Sequence, residues 1–229
     1  MTEIKENNEL DPSKVEKTGN GFDSAKLQRA QSLSLEAVDA IADQIQPGMS
    51  EEDALAMAVR TLKERGASKL WHRTWVRFGR NTVYPYGVPS EEGVVLGEND
   101  VFFIDIGPVW DGYEGDAAKT FVVGDAPLMQ KCADDGRAVF DLVKRRWQQS
   151  GDSGNALYQF ARDEVEKRGW KFLLEDANGH RLGDFPHAIH FRGGVSELAF
   201  RPTPYHWMLE IQIKHPTLPF GAFHEDLLA

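Results

Sequence analysis

The chain has 229 residues, 41% of them hydrophobic and 27% charged, enough to bury a substantial core in one large domain or two small ones. A net charge of −10 argues against a nucleic-acid or anionic-membrane surface, and the single cysteine, Cys132, rules out an internal disulfide or a cysteine-based zinc cluster. There is no long apolar run, and the start, MTEIKENNEL, is too polar for a signal peptide, so a soluble cytoplasmic protein is expected.

Residues 1–22 are polar, lack periodicity and contain Gly19-Asn20-Gly21, which reads as a flexible arm. From Ser24 to Ile45 the apolar residues Leu27, Ala30, Leu33, Ala37, Val38, Ile41 and Ile45 recur at helical spacing, and Pro47-Gly48 stops the helix. Ser50 starts a second helix, with Asp53 making a variant of the capping box and Gly66 ending it. Residues 70–89 alternate aromatic residues with arginines, which suits a strand followed by a Pro/Gly-rich loop. This stretch is either a wall of a substrate pocket or plain packing. His72 by itself reads as a core histidine; His72, Arg77 and Tyr86 are the candidates here for contact with substrate.

Val101 to Gly124 is the centre of the sequence. Two runs rich in β-branched and aromatic residues flank Asp111-Gly112, a strong hairpin signal. With those two as the loop, Trp110 faces Tyr113, Gly107 faces Asp116 and Asp105 faces Ala118. Asp105 and Asp116 then become diagonal neighbours on one face, with the glycine leaving open space beside them. Two bare carboxylates this close repel, so the pair shares a proton or holds a cation. The apolar residues around them make both strands look buried, which favours a metal site over a solvated face.

A helix is expected over Pro127–Gln149, with Lys144, Arg145 and Arg146 complementing its C-terminal dipole, and another over Asn155–Lys167. Gly151–Gly154 between them is a loop; no P-loop lysine follows. A second polar cluster, Gly179 to His187, holds His180 and His187 in irregular backbone. Glu210 lies in an apolar strand, a costly position unless it is paired or bound to metal, and Glu225 repeats that pattern near the end. Two helices then strands, followed by two helices then strands, form a loose echo.

Asp105, Asp116, His180, Glu210 and Glu225 are four carboxylates and one imidazole, a set suited to divalent manganese, iron, cobalt or zinc. Four anions exceed what one divalent ion needs, and two ions would balance the charge. The order and spacing of these residues resemble the pita-bread metalloenzymes: methionine aminopeptidase, aminopeptidase P, prolidase and the non-peptidase creatinase. The resemblance covers residues 24–229, and Gln46–Ser50 looks like that family's P-G-x-[ST] turn. It implies an α+β fold, a curved and mostly antiparallel sheet with helices on its outer face, spanning 23–229 as the catalytic domain alone.

The resemblance assigns roles residue by residue. Asp105, in Ile104-Asp105-Ile106-Gly107, would bind one metal. Asp116, in Gly115-Asp116-Ala117-Ala118-Lys119-Thr120-Phe121, would bridge both. His180 and Glu210 would hold the other metal, and Glu225 would bridge. His187 falls on a second family histidine, a general acid or substrate hydrogen-bonder. Two departures stand out. Tyr86 occupies the place of the peptidases' substrate histidine, and Ile211 rather than proline follows Glu210.

The implied activity is a dinuclear metallohydrolase, monomeric or homodimeric, whose metal-bound hydroxide attacks a peptide or small amide, with Glu210 and His187 as its catalytic side chains. The alternative is lyase or iron- and oxygen-dependent oxidative chemistry on a small metabolite. A metal-free binding module is a third reading, disfavoured because all five ligand positions are filled.

Overall fold

The computed structural model describes residues 10–173, 177–183 and 191–229. His187 lies outside the described residues. In chain order the elements are α1 (Pro12–Val15), α2 (Ser24–Ala42), α3 (Glu51–Glu64), β1 (Lys69–Leu70), β2 (Trp75–Phe78), β3 (Asp100–Ile106), β4 (Pro108–Trp110), β5 (Tyr113–Glu114) and β6 (Ala117–Val123). After these come α4 (Pro127–Gln149), α5 (Gly154–Lys167), β7 (Lys171–Phe172), β8 (Met208–Lys214) and β9 (Gly221–Leu227).

The main sheet has six strands in the order β2-β3-β6-β9-β8-β7, and each pairing is antiparallel. The order explains the echo heard in the sequence: one half of the sheet follows α2 and α3, the other follows α4 and α5. Each helix pair covers its own half. Leu27, Val38, Ile41, Ala58 and Leu62 pack with Val76, Phe78, Phe102 and Ile104; Val139, Val143, Leu157 and Ala161 pack with Leu209, Ile211 and Ile213. Successive strand residues point to opposite faces. The residues between those apolar positions, namely Trp75, Arg77, Phe103, Asp105, Glu210, Gln212, Phe223 and Glu225, therefore share the other face, and that face carries the site.

The hairpin register is as expected, with Trp110 opposite Tyr113 and Asp105 opposite Ala118. Asp111 and Gly112 both have positive φ, 49° and 81°, the requirement of a tight two-residue turn matched to strand twist. The hairpin is not one continuous ribbon. It breaks at Gly107 and at Gly115-Asp116, and its tip, β4-β5, joins β1 in a separate three-stranded sheet. The break frees Asp116 from strand pairing.

The helix starts follow side-chain capping: Asp23 accepts from the Ala25 and Lys26 amides, and Ser50 accepts from that of Asp53. The first long helix ends at Ala42, not Ile45, because the Gln44 and Ile45 amides turn back to the carbonyls of Ile41 and Ala42. The expected arm is fastened over residues 10–22. Val15 is buried, and the Glu16 carboxylate accepts from the Thr203 amide and the Trp207 indole. Its local polarity conceals partners that lie near the far end of the chain. Among the described residues, no helix is long and apolar enough to cross a membrane.

Candidate metal centre

The sheet brings Asp105, Asp116, His180, Glu210 and Glu225 to one cavity of about 370 Å³. Asp105 comes from β3, Glu210 from β8 and Glu225 from β9; Glu210 and Glu225 are directly paired, and Ala118 of β6 pairs with Glu225. His72 and Tyr86 line the same cavity, as do Trp71, Trp75 and Arg192.

Asp116 is at the centre. Its Oδ1 lies 3.2 Å from His72 Nε2, and its Oδ2 lies 3.0 Å from His180 Nε2. Each imidazole also faces a second carboxylate, Asp105 at 3.7 Å from His72 and Glu225 at 3.2 Å from His180. Two groups that could each hold a metal ion follow, His72-Asp105-Asp116 and Asp116-His180-Glu225, with Asp116 in both. Glu210 stands 3.9 Å from His180 through one oxygen and accepts from the Gly179 amide at 2.7 Å through the other.

His72 corrects one sequence expectation. It is no isolated core histidine: it lines the cavity, and its ring also enters the carboxylate cluster. The open space expected beside Gly107 is where it sits: a Cβ on Gly107 would stand 2.0 Å from its Cδ2. Arg77 also lines the cavity, but its guanidinium donates to the carbonyls of Tyr84, Pro85 and Val88 and stacks on Trp75 at 4.3 Å. Those bonds shape the loop that carries Tyr86, while its buried Nε makes no hydrogen bond among the described residues. Tyr86 is 57% exposed, with its ring 5.9 Å from that of His72.

Electrostatics follow from burial and crowding. Burial would push the His72 imidazole down, but the Asp116 and Asp105 carboxylates outweigh it and raise it to about 9. His180 is likewise raised against its burial by Asp116 and Glu225. Burial raises Asp105 to about 7, with the His72 charge opposing and Asp116 adding to the rise. Burial, then Asp116 and Glu210, holds Glu225 well above the usual carboxylate range. Asp116 goes the other way: burial would raise it, but His72 and His180 hold it low.

The supports came from residues that the sequence did not single out. Gln31 of α2 donates to the Asp116 carbonyl and accepts from its amide, clamping the unpaired backbone at the sheet break. Tyr158 of α5 does the same for Glu210, donating to its carbonyl and accepting from its amide, both at 3.1 Å. Gly179 has φ +71°, and a Cβ there would meet the Met208 carbonyl at 2.6 Å. Only glycine can lead the chain into His180 there. Gln31→Leu keeps the bulk and orphans both buried Asp116 groups, so we expect it to destabilise the fold by about 2–4 kcal/mol. Denaturant unfolding checks this; a loss under about 0.5 kcal/mol would show that the clamp carries no weight.

Comparison with known proteins gives the family and the fold. The model of metallopeptidase family M24 matches residues 25–204. A methionine aminopeptidase of Aquifex aeolicus is 28% identical over 181 residues, covering 72% of this chain and 68% of that protein. An Xaa-Pro dipeptidase of Pyrococcus furiosus is 26% identical over 163 residues, covering 69% of this chain. The chain spans only 44% of that dipeptidase. Among solved structures, a prolidase from Thermococcus sibiricus superposes with a TM-score of 0.74 at 22% identity, covering 89% of this chain and 55% of that one. An X-Pro aminopeptidase from Thermotoga maritima gives 0.70 at 21%, covering 88% and 56%. Glu210 and Glu225 lie beyond the span matched by the family model, and the sheet pairing brings them to the cavity. The fold is the pita-bread fold of these relatives, and the chain belongs to metallopeptidase family M24.

Proposed function

We propose that this protein is a hydrolase that holds two divalent ions and cleaves a peptide, near its N-terminus, or a small amide. One observation carries the reading: Asp116 turns one oxygen to each of two potential ligand groups, as a bridging carboxylate must. Asp105, Asp116 and Glu225 would hold one ion; Asp116, His180, Glu210 and Glu225 would hold the other. The all-oxygen-and-imidazole donor set fits manganese, iron, cobalt or zinc. When bound, such a pair polarises a carbonyl and acidifies water.

The chain's own residues do the rest. Glu210, fixed through one oxygen by the Gly179 amide, is the residue we assign to take the proton of the attacking water. Attack at the carbonyl carbon is followed by breakage of the C–N bond, and the proton passes to the departing amine. His187 is the residue we assign, by its place in the sequence, to that amine. Trp75, Phe103 and Phe223 give the cavity an apolar wall for the substrate. Metal analysis of protein purified without added metal tests the reading, together with peptide and amide turnover under manganese or cobalt. Two ions per chain and oxygen-independent hydrolysis are expected. Oxygen consumption by an iron-retaining protein would favour the second reading, non-peptidase chemistry on a small metabolite.

Tyr86 is the observation that favours a changed substrate. Partial burial, then the Asp105 and Asp116 charges, raise its phenol further above the ordinary tyrosine range, so it donates a hydrogen bond but carries protons poorly. If it only replaces a substrate hydrogen bond, Tyr86→Phe costs about 0.5–1.5 kcal/mol, roughly threefold to tenfold in kcat/KM. We expect weak turnover of methionyl and Xaa-Pro peptides by the unaltered protein, and no gain from Tyr86→His. Efficient cleavage of either peptide class would restore a plain aminopeptidase reading.

A further inference from the structure

The geometry points to His72 as a direct ligand, through Nε2, of the ion that Asp105 and Asp116 hold, an inference that rests on the two-ion reading above. Each potential ligand group would then contain one imidazole, and each oxygen of Asp116 would face one histidine.

Distance supports this. Metal bonds of about 2.1 Å at angles of 90–110° put neighbouring ligand atoms roughly 3.0–3.4 Å apart. His72 Nε2 lies 3.2 Å from Asp116 Oδ1 and 3.7 Å from Asp105 Oδ1, close to such edges. Nitrogen chemistry supports it as well. Nδ1 of His72 lies 2.8 Å from the Arg73 carbonyl, which can only accept. The neutral ring therefore carries its hydrogen on Nδ1 and presents its lone pair at Nε2, towards the carboxylates. His180 is built identically, with Nδ1 3.1 Å from the carbonyl of the next residue, Arg181, and Nε2 towards Asp116 and Glu225. A residue expected to touch substrate thus duplicates the wiring of the expected ligand histidine.

The ring is also held. It lies where Gly107 lacks a side chain, a Cβ there coming within 2.3 Å of Nε2 itself. Trp71 meets it edge-on at 4.4 Å, and the Trp71 indole is pinned by its hydrogen bond to the Gly115 carbonyl. The side chain is only 8% exposed, so it does not sweep the cavity in search of substrate. Adding imidazole to carboxylates shifts that position from magnesium-like ions towards cobalt, zinc and iron.

The test uses the full chain, stripped with chelator and titrated with Co(II) alone, followed by X-ray absorption on the loaded protein. The inference expects two ions per chain and two imidazoles per ion pair. His72→Gln should weaken one of the two binding events by at least about tenfold and leave the other unchanged, with one imidazole remaining. Gly107→Ala, which crowds the ring and leaves its chemistry intact, should weaken the same event. Two ions with a single imidazole in the unaltered protein would overturn the ligand role of His72 alone. A single ion in the unaltered protein would overturn the two-ion reading and this inference together. The imidazole count needs no variant, so a His72→Gln protein that fails to fold does not remove the test.

Discussion

Replacing Asp116 with alanine should strip both ions from the centre and lower activity by at least about 10³-fold, since losing even one oxyanion donor in a hydrolase costs 10²–10³. The expectation follows from its position. Asp116 is 1% exposed, with Oδ1 3.2 Å from one histidine and Oδ2 3.0 Å from another. Removing it deprives both ligand groups at once, and it leaves two imidazoles facing fewer counter-charges. Asp105→Ala, by contrast, removes a ligand from one group only, so one ion should remain. Elemental analysis of the two variants, with circular dichroism to confirm folding, separates these outcomes. Near-normal occupancy of both positions in Asp116→Ala would show that it bridges nothing.

The sequence made the hairpin legible because every signal for it is local. Asp111-Gly112 sets the turn, side chains alternate with a period of two, and the register of Asp105 follows by counting. The strand carboxylates Glu210 and Glu225 were legible as apolar-run anomalies, and the sheet pairs them directly. What escaped is what joins distant segments. Gln31 reaches Asp116 across 85 residues, and Tyr158 reaches Glu210 across 52, with nothing at either end to announce the pairing. Lys144 was read as a helix-end charge, yet it holds Asp226 and the Leu227 carbonyl, tying α4 to the strand that bears Glu225. Glu51 was an unremarked first-turn residue of α3; buried, it accepts from the Phe78 amide and from Asn81 and so anchors the β2 end. The place of His72 in the carboxylate cluster escaped for the same reason. A lone histidine among aromatics carries no local sign of Gly107, the residue whose missing side chain makes room for it.

Removing the ions should cost the protein stability, and the cost should grow with pH. A ligand at a hundred times its Kd stabilises by about 2.7 kcal/mol per site, so two sites contribute roughly 5 kcal/mol, or about 10–20 °C in Tm for a chain of this size. The pH dependence comes from protons that replace the ions. In the metal-free protein, Asp105 is raised to about 7 and His72 to about 9, with Glu225 and His180 raised as well. A raised carboxyl contributes stability that is complete at low pH and fades as pH climbs through its folded value. A raised histidine contributes stability that is complete below about 6.5 and is lost through about 9. Asp116, held low, adds stability above the ordinary carboxylate range and so does not reverse the trend over neutral pH. Between pH 6.5 and 9 the chelated protein therefore weakens as its site loses protons and the carboxylates are left facing one another. Ions bind better over the same range, because their ligands no longer have to shed protons first. Melting curves with chelator and with added manganese, run at pH 6.5 and 8.5, should show a gap in Tm that widens at the higher pH. A gap that stays constant or narrows would mean that protons on these side chains do not stand in for the metal charge.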